Sequence, residues 1–147
     1  MTHSLRLFGA AALALVAVQF AQAEQVVAGP KGGRLLGTSP AQAEFFVNAE
    51  QKVEILFYGE GLQPAAPGTQ VVTVTAEAPG GRAVLTMEKA ATGFVSTEPL
   101  PAGAPYRVVV QIRPAPGEKP QNFRIDLNLA HCGGCSRVEY ACTCEGH

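Results

Sequence analysis

Apolar residues at every second position, in short runs separated by glycine and proline, most strongly limit what this chain can fold into. In one such run, the apolar residues that we expect to face the core are Phe123, Ile125, Leu127 and Leu129. A period of two places these side chains on one face of a strand, whereas a helix would need a period near 3.6. The run 106–113 alternates in the same way. Both runs therefore predict half-buried antiparallel strands.

Six further runs have strand character and are bounded by turn residues. They cover residues 34–36, 43–48, 52–58, 72–77, 83–88 and 93–96. Glycine and proline recur between them, and proline inside a central strand would remove a ladder hydrogen bond. The sequence therefore predicts an all-β, immunoglobulin-like or fibronectin-like sandwich of seven or eight short strands, followed by a cysteine-rich C-terminal tail.

The first 23 residues have the organisation of a signal peptide. Arg6 precedes an almost wholly apolar run over 7–20, and Ala21-Gln22-Ala23 has the small-x-small pattern that precedes a cleavage site. The apolar run is shorter than the roughly 20 residues that a bilayer requires, and no second apolar span follows it. We expect a periplasmic or secreted mature protein without a stable membrane span.

The remaining length suits one domain and a terminal segment. We predict a β-sandwich domain over residues 24–130 and a Cys/His-rich segment over 131–147. Because the last alternating run ends at Leu129, the pattern predicts a core that is complete before the tail, so that deleting 131–147 would leave the sandwich folded. The formal net charge of −1 indicates neither nucleic acid nor an anionic membrane as partner.

The C-terminal segment holds every cysteine of the chain, with the spacing Cys-x2-Cys-x6-Cys-x-Cys. Gly133 and Gly134 permit a bend that turns the first two sulfurs toward one point, and the intervening residues can return the second pair to it. Four thiolates suit zinc, and two or three suit copper(I). Two flanking histidines offer nitrogen ligands or a second, looser site. The predicted metal ligands are Cys132, Cys135, Cys142, Cys144, His131 and His147.

Disulfides are the competing interpretation, because an exported protein meets an oxidising environment. Four cysteines allow three pairings, and the sequence does not rank Cys132–Cys144 with Cys135–Cys142 against Cys132–Cys142 with Cys135–Cys144. The third pairing needs a strained ring across Cys-x-Cys. Clustering at one end favours a metal site, since cross-links stabilise most when they join distant parts of a chain. A thioredoxin-type redox centre would need a βαβ unit, which the pattern does not predict.

The segment Gly-Pro-Lys-Gly-Gly at 29–33, with the strand pair that follows between 44 and 58, resembles the small periplasmic β-domains associated with bacterial heavy-metal efflux adaptors. The resemblance covers about residues 29–75. Those domains often carry Gly-Pro-His-Gly-Gly, and Lys31 stands here in place of that potential histidine ligand. The long coiled-coil hairpin of such adaptors has no counterpart. The resemblance implies a metal-resistance context and transfers no site.

Catalytic patterns are not evident in the sequence. No pair of acidic residues has the context of a general acid and base, no serine lies in a nucleophile elbow, and the glycine pairs lack a phosphate-loop pattern. We therefore predict a protein that is not an enzyme and that holds zinc or copper(I) for sequestration or transfer. The alternative is an envelope structural or protein-interaction module, cross-linked by two disulfides, whose sheet surface binds another envelope protein.

Overall fold

The computed structural model describes residues 25–38 and 41–144, which fold into strands and two short 3-10 helices. The strands are β1 (Arg34–Leu36), β2 (Gln42–Val47), β3 (Val53–Tyr58), β4 (Pro64–Ala65), β5 (Val71–Ala78), β6 (Gly81–Leu85), β7 (Met87–Ala90), β8 (Gly93–Ser96), β9 (Tyr106–Arg113) and β10 (Gln121–Leu127). The 3-10 helices are Glu60–Leu62 and Glu139–Ala141.

The strands form two antiparallel sheets. The first has the order β1-β2-β3-β8-β7, with β4 paired to β3, and the second has the order β10-β9-β5-β6. This confirms the predicted all-β class and the two-sheet arrangement. The predicted strand over 106–113 coincides with β9, and most of the predicted run 123–129 lies in β10.

The described residues contain ten strands because one predicted run divides between the sheets. β6 belongs to the second sheet and β7 to the first, so the chain crosses the sandwich at Thr86. Leu85 and Met87, on either side of the crossing, both pack toward the core. The alternation of inward and outward side chains therefore continues through the crossing. For this reason the sequence pattern does not show where the chain changes sheets. The two-residue β4 accounts for the other additional strand.

The core lies between the sheets. Its largest fully buried apolar side chains come from both layers: Phe45, Val53, Ile55, Phe57, Val74, Val108, Val110, Ile125 and Leu127. Burying a side chain of this size contributes about 1.5–3 kcal/mol. These contacts are what the period-two pattern predicts, because each strand turns one face toward the opposite sheet.

The core does not end with β10, so the expectation that it is complete before the tail is wrong. Tyr140 is 4 % exposed and Ala141 is 0 % exposed, and both belong to the hydrophobic core. The Tyr140 ring packs edge-on against Phe45, with 5.4 Å between ring centroids and 85° between planes. After β10 the chain folds back, so that Tyr140 joins the core, against which the partly buried Leu129 also packs.

The predicted signal peptide, residues 1–23, lies outside the described residues, as does His147. Within 25–38 and 41–144, no helix is long and apolar enough to cross a membrane.

Candidate metal centre

The first cysteine pair lies at the tip of a small hairpin that follows β10. The Glu139 N–H donates to the Ala130 carbonyl at 2.9 Å, and the Cys132 N–H donates to the Arg137 carbonyl at 2.8 Å. These two bonds bring the arms of the hairpin together. Cys132 and Cys135 therefore occupy the turn between the arms, as the Cys-x-x-Cys spacing predicts.

The second cysteine pair is positioned by the 3-10 helix Glu139–Ala141. The Cys142 N–H donates to the Glu139 carbonyl at 3.1 Å and closes this turn. Tyr140 holds the turn against the sandwich, because its hydroxyl accepts a hydrogen bond from the Val47 N–H at 3.0 Å. Its own N–H donates to the Asn128 carbonyl at 3.2 Å. The chain that carries the second pair is thus fastened to β2 of the first sheet and to the residue that directly follows β10 of the second.

The four sulfur atoms converge on one point, and all lie within 4.8 Å of one another. Cys142 Sγ is 3.0 Å from Cys132 Sγ and 3.6 Å from Cys135 Sγ, while Cys132 Sγ is 3.9 Å from Cys144 Sγ. A tetrahedral zinc site with bonds of about 2.3 Å has sulfur-to-sulfur edges of about 3.8 Å. The sulfur cluster therefore has the size of a shell that could hold one metal ion.

All four cysteines are free thiols in the described residues. A disulfide has a sulfur-to-sulfur bond of about 2.05 Å, which is much shorter than the 3.0 Å between the closest sulfurs. Cys142 also lies near two other sulfurs at once, and Cys132 does the same. The arrangement is a cluster and not two separate pairs.

Hydrogen bonds within the cluster distribute charge unequally. The Cys142 thiol donates to Cys132, and together with the Gly134 N–H this lowers the pKa of Cys132 to about 6. The same thiol-to-thiol bond raises the pKa of Cys142 to about 12. The bond with Cys142 lowers the pKa of Cys144, but bonds with Cys135 and Cys132 outweigh it and the pKa rises. Without a cation, negative charge therefore concentrates on Cys132.

Gly134 lies so close to the sulfur cluster that there is little room for a side chain at this position. A Cβ atom at this position would lie 3.2 Å from Cys144 Sγ and 3.9 Å from Cys132 Sγ. A side chain there would press on the Cys144 sulfur and would be in ordinary contact with the Cys132 sulfur. A Cβ atom at Gly133 would meet nothing within 4 Å beyond its chain neighbours, so the two glycines predicted to permit the bend differ in importance. Gly134 is the one that lets the two cysteine pairs meet.

The histidines remain predicted ligands. His131 is exposed, and its backbone forms an isolated bridge with Val138 in the arms of the hairpin. Among the described residues, the converging ligand atoms at this site are the four cysteine sulfurs. His147 lies beyond the described residues.

A second buried polar centre lies at Glu44 and was not predicted from the sequence. This side chain is 0 % exposed. Its carboxylate accepts hydrogen bonds from the Lys31 N–H at 3.1 Å, the Gly33 N–H at 2.6 Å and the Tyr58 hydroxyl at 2.5 Å. The Lys31 ammonium points elsewhere, to Glu54 at 2.6 Å. An acidic residue within the apolar run 43–47 was the signal that could have identified this centre.

Comparisons with protein-family models, with curated proteins and with solved structures find no match to this chain. The resemblance to periplasmic β-domains of heavy-metal efflux adaptors therefore remains a prediction from the sequence. What the structure contributes is the geometry of the sulfur cluster, which does not depend on any relative.

Proposed function

We propose that this protein is an exported, non-enzymatic metal-binding protein that holds zinc or copper(I) for sequestration or transfer. The convergence of Cys132, Cys135, Cys142 and Cys144 is the observation that carries the proposal. Thiolates are the ligands that soft metal ions prefer in proteins. Export rests on the signal-peptide pattern of residues 1–23.

The mutual approach of the sulfurs supports a metal ion over a pair of disulfides. Two disulfides would need each sulfur to approach one partner, whereas Cys142 lies 3.0 Å from one sulfur and 3.6 Å from another. Thiols packed in this way gain little from one another, but a cation among them would satisfy all four at once. Zinc would use the complete shell, and copper(I) would use two or three of its sulfurs.

Titration of the reduced, full-length mature protein with zinc and with copper(I) tests the proposal. We expect tight binding of near one ion per chain. Replacing Cys132 and Cys135 together by serine should abolish it, while Ser136→Ala, within the same hairpin, should have no effect.

Two results would exclude the metal function. One is that neither ion binds at near one per chain, and the other is that the double serine variant binds as well as the parent. If the purified protein then proves to lack four hydrogens by mass and to carry no metal, the cysteines form disulfides. The envelope structural or protein-interaction module would be the function that remains.

A further inference from the structure

The four sulfurs of the cluster are not equivalent in their access to solvent. Cys132 and Cys142 are 5 % and 2 % exposed, whereas Cys135 and Cys144 are half-buried. Each of the two cysteine motifs therefore contributes one buried sulfur and one accessible sulfur. One side of the cluster faces the protein, and the opposite edge faces solvent.

Backbone N–H groups reinforce this division. The Gly134 N–H donates to Cys132 Sγ at 3.4 Å, and the Cys144 N–H donates to Cys142 Sγ at 3.4 Å. N–H groups aimed at a ligand atom orient it and stabilise its negative charge, and such outer contacts strengthen metal binding. The two buried sulfurs are thus oriented by the backbone before an ion arrives.

The backbone attachments of the cysteines point the same way. Cys142 directly follows Ala141, which is 0 % exposed, and its N–H closes the 3-10 turn on Glu139. Cys144, by contrast, follows the exposed Thr143, and Cys135 lies between two exposed neighbours. Cys142 is thus fastened to the core, and Cys132, although its chain neighbours are exposed, is held by the bond from its N–H to the Arg137 carbonyl at 2.8 Å.

We propose that Cys132 and Cys142 anchor the ion, and that Cys135 and Cys144 form an exchange edge through which the ion passes to an acceptor with two adjacent thiols. This inference rests on the proposed metal-binding function and specifies its transfer step. Two accessible sulfurs match two incoming sulfurs, so a dithiol peptide or protein fits the edge better than a single thiol does.

The exchange requires no oxidant or reductant. An incoming thiol gives its proton to solvent, and its sulfur bonds to the ion as the bond from Cys135 or Cys144 breaks. The displaced thiolate takes up a proton from water. A second exchange at the other accessible cysteine leaves the ion held by two sulfurs of the acceptor and by the anchors. The anchors are released last: water or further acceptor groups take their places on zinc, copper(I) stays on the two acceptor sulfurs, and the freed thiolates exchange protons with solvent.

Two matched pairs of serine variants test the proposal, with one buried and one accessible cysteine in each motif. The readouts are the zinc affinity, measured by competition with a chromophoric chelator, and the rate of zinc transfer to a synthetic Cys-x-x-Cys peptide. Cys132→Ser and Cys142→Ser should weaken zinc binding by about 100-fold or more, whereas Cys135→Ser and Cys144→Ser should weaken it by about tenfold. The latter two should also transfer zinc to the peptide several-fold faster than the parent does.

Alkylation of the parent protein provides a test that no folding defect can affect. With limiting N-ethylmaleimide on the reduced, zinc-loaded chain, in which all four sulfurs are bound as thiolates and differ in access to solvent, we expect Cys135 and Cys144 to be labelled before Cys132 and Cys142, as peptide mass mapping would show. Equal effects of the four serine variants, or earlier labelling of Cys132 and Cys142, would refute the proposed exchange edge but would leave the proposed metal-binding function standing. Failure of the parent to bind zinc would overturn the proposed function and this inference together.

Discussion

Two glycine-containing turns in this molecule surround side chains that can carry negative charge, and they satisfy them in different ways. The turn 29–33 surrounds the carboxylate of Glu44, which receives three hydrogen bonds from the chain itself. The turn 132–135 carries two sulfurs whose close neighbours include the other sulfurs of the cluster. The carboxylate oxygens of Glu44 are hydrogen-bonded by donors of the chain, whereas the sulfurs of the cluster mainly contact one another.

The difference separates a structural group from a ligand site. A buried acceptor costs free energy unless it is hydrogen-bonded, and Glu44 meets this requirement without any ligand. Four thiols in mutual contact meet it poorly, because each is a weak donor and a weak acceptor. An internally satisfied carboxylate therefore stabilises the fold, whereas converging sulfurs are suited to receive a cation.

The glycines of the Gly-Pro-Lys-Gly-Gly motif allow close packing over β2. A Cβ atom at Gly29 would overlap the Glu44 carboxylate, and one at Gly33 would overlap the Phe45 carbonyl oxygen. Both glycines are thus needed for close packing over β2. In this chain the motif serves a buried carboxylate, and the cysteine cluster that could hold a metal ion lies at the other end of the sequence.

The largest expected effect comes from ending the chain after Ala130, which removes the cysteine turn together with Tyr140. Truncating a buried aromatic side chain costs about 3–5 kcal/mol. The entire stability of a small domain is about 5–15 kcal/mol. We expect urea unfolding, followed by circular dichroism, to shift to a much lower midpoint or to lose cooperativity.

Ending the chain after Cys144 is the matched control for this deletion, and it should leave the midpoint unchanged. An unchanged midpoint for the longer deletion would show that the core is complete without the tail, as the alternating pattern alone suggested.

Removing the Glu44 carboxylate should have the next largest effect on stability. Glu44→Ala leaves two N–H groups and the Tyr58 hydroxyl without their partner. Unpaired buried donors cost about 1–3 kcal/mol each, and we expect a total loss of about 3 kcal/mol. Denaturant unfolding of the metal-free protein measures it.

Two controls separate the carboxylate from the metal centre. Glu44→Gln keeps an acceptor and should lose less stability than the alanine variant, and Glu54→Ala, in a partly exposed ion pair, should cost about 1 kcal/mol or less. Both Glu44 variants should bind zinc with the affinity of the parent once folded. A loss of zinc affinity specific to Glu44→Gln would contradict the independence of the two turns.

Zinc affinity should fall as the pH falls, because thiols must lose protons to bind the ion. At neutral pH, Cys142, with its pKa raised to about 12, and Cys144, whose pKa is also raised, hold protons that zinc must displace. These two protons alone correspond to a change of at least about 100-fold in affinity per pH unit. Competition titrations at several pH values, with proton release recorded in weak buffer, measure this slope.

The slope should steepen below about pH 6, because Cys132, with its pKa lowered to about 6, then also holds a proton in the metal-free protein. An affinity that does not change with pH would mean that thiolates are not the ligands.

The smallest expected effects come from removing single hydroxyl groups beside each turn. Tyr140→Phe loses the bond from the Val47 N–H, and Tyr58→Phe loses the bond to Glu44. A neutral hydrogen bond contributes about 1 kcal/mol, and one to a charged group about 1.5–3 kcal/mol. The Tyr58 variant should therefore be the less stable of the two in denaturant unfolding, and equal losses would contradict the charged character of the Glu44 centre.

The pH dependence of stability distinguishes Tyr58 further. Burial, with the hydrogen bond to Glu44, raises the pKa of Tyr58 above its ordinary value near 10. A raised folded-state pKa means that the stabilisation is complete below about pH 10 and is lost as the pH rises above it. Tyr58→Phe should reduce this alkaline loss of stability. Burial alone raises the pKa of Tyr106, whose hydroxyl donates to the Pro101 carbonyl, so Tyr106→Phe should reduce the alkaline loss to a smaller extent than Tyr58→Phe does.

The sequence by itself determined the strand-forming segments and the potential metal ligands. Alternating apolar residues located β9 and β10, because the strand period is a local property of the backbone. The spacing of Cys132 and Cys135 likewise predicted a turn that presents two sulfurs to one point. These features depend on residues that are close together along the chain.

Only the tertiary structure decided the crossing at Thr86, the burial of Glu44 and the place of Tyr140 in the core. Each depends on contacts between distant segments: the Tyr140 hydroxyl accepts its bond from Val47, 93 positions away. The difference between buried and accessible cysteines has the same origin, since the sandwich covers one side of the cluster. A local pattern predicts which atoms can meet, but packing decides which of them solvent can reach.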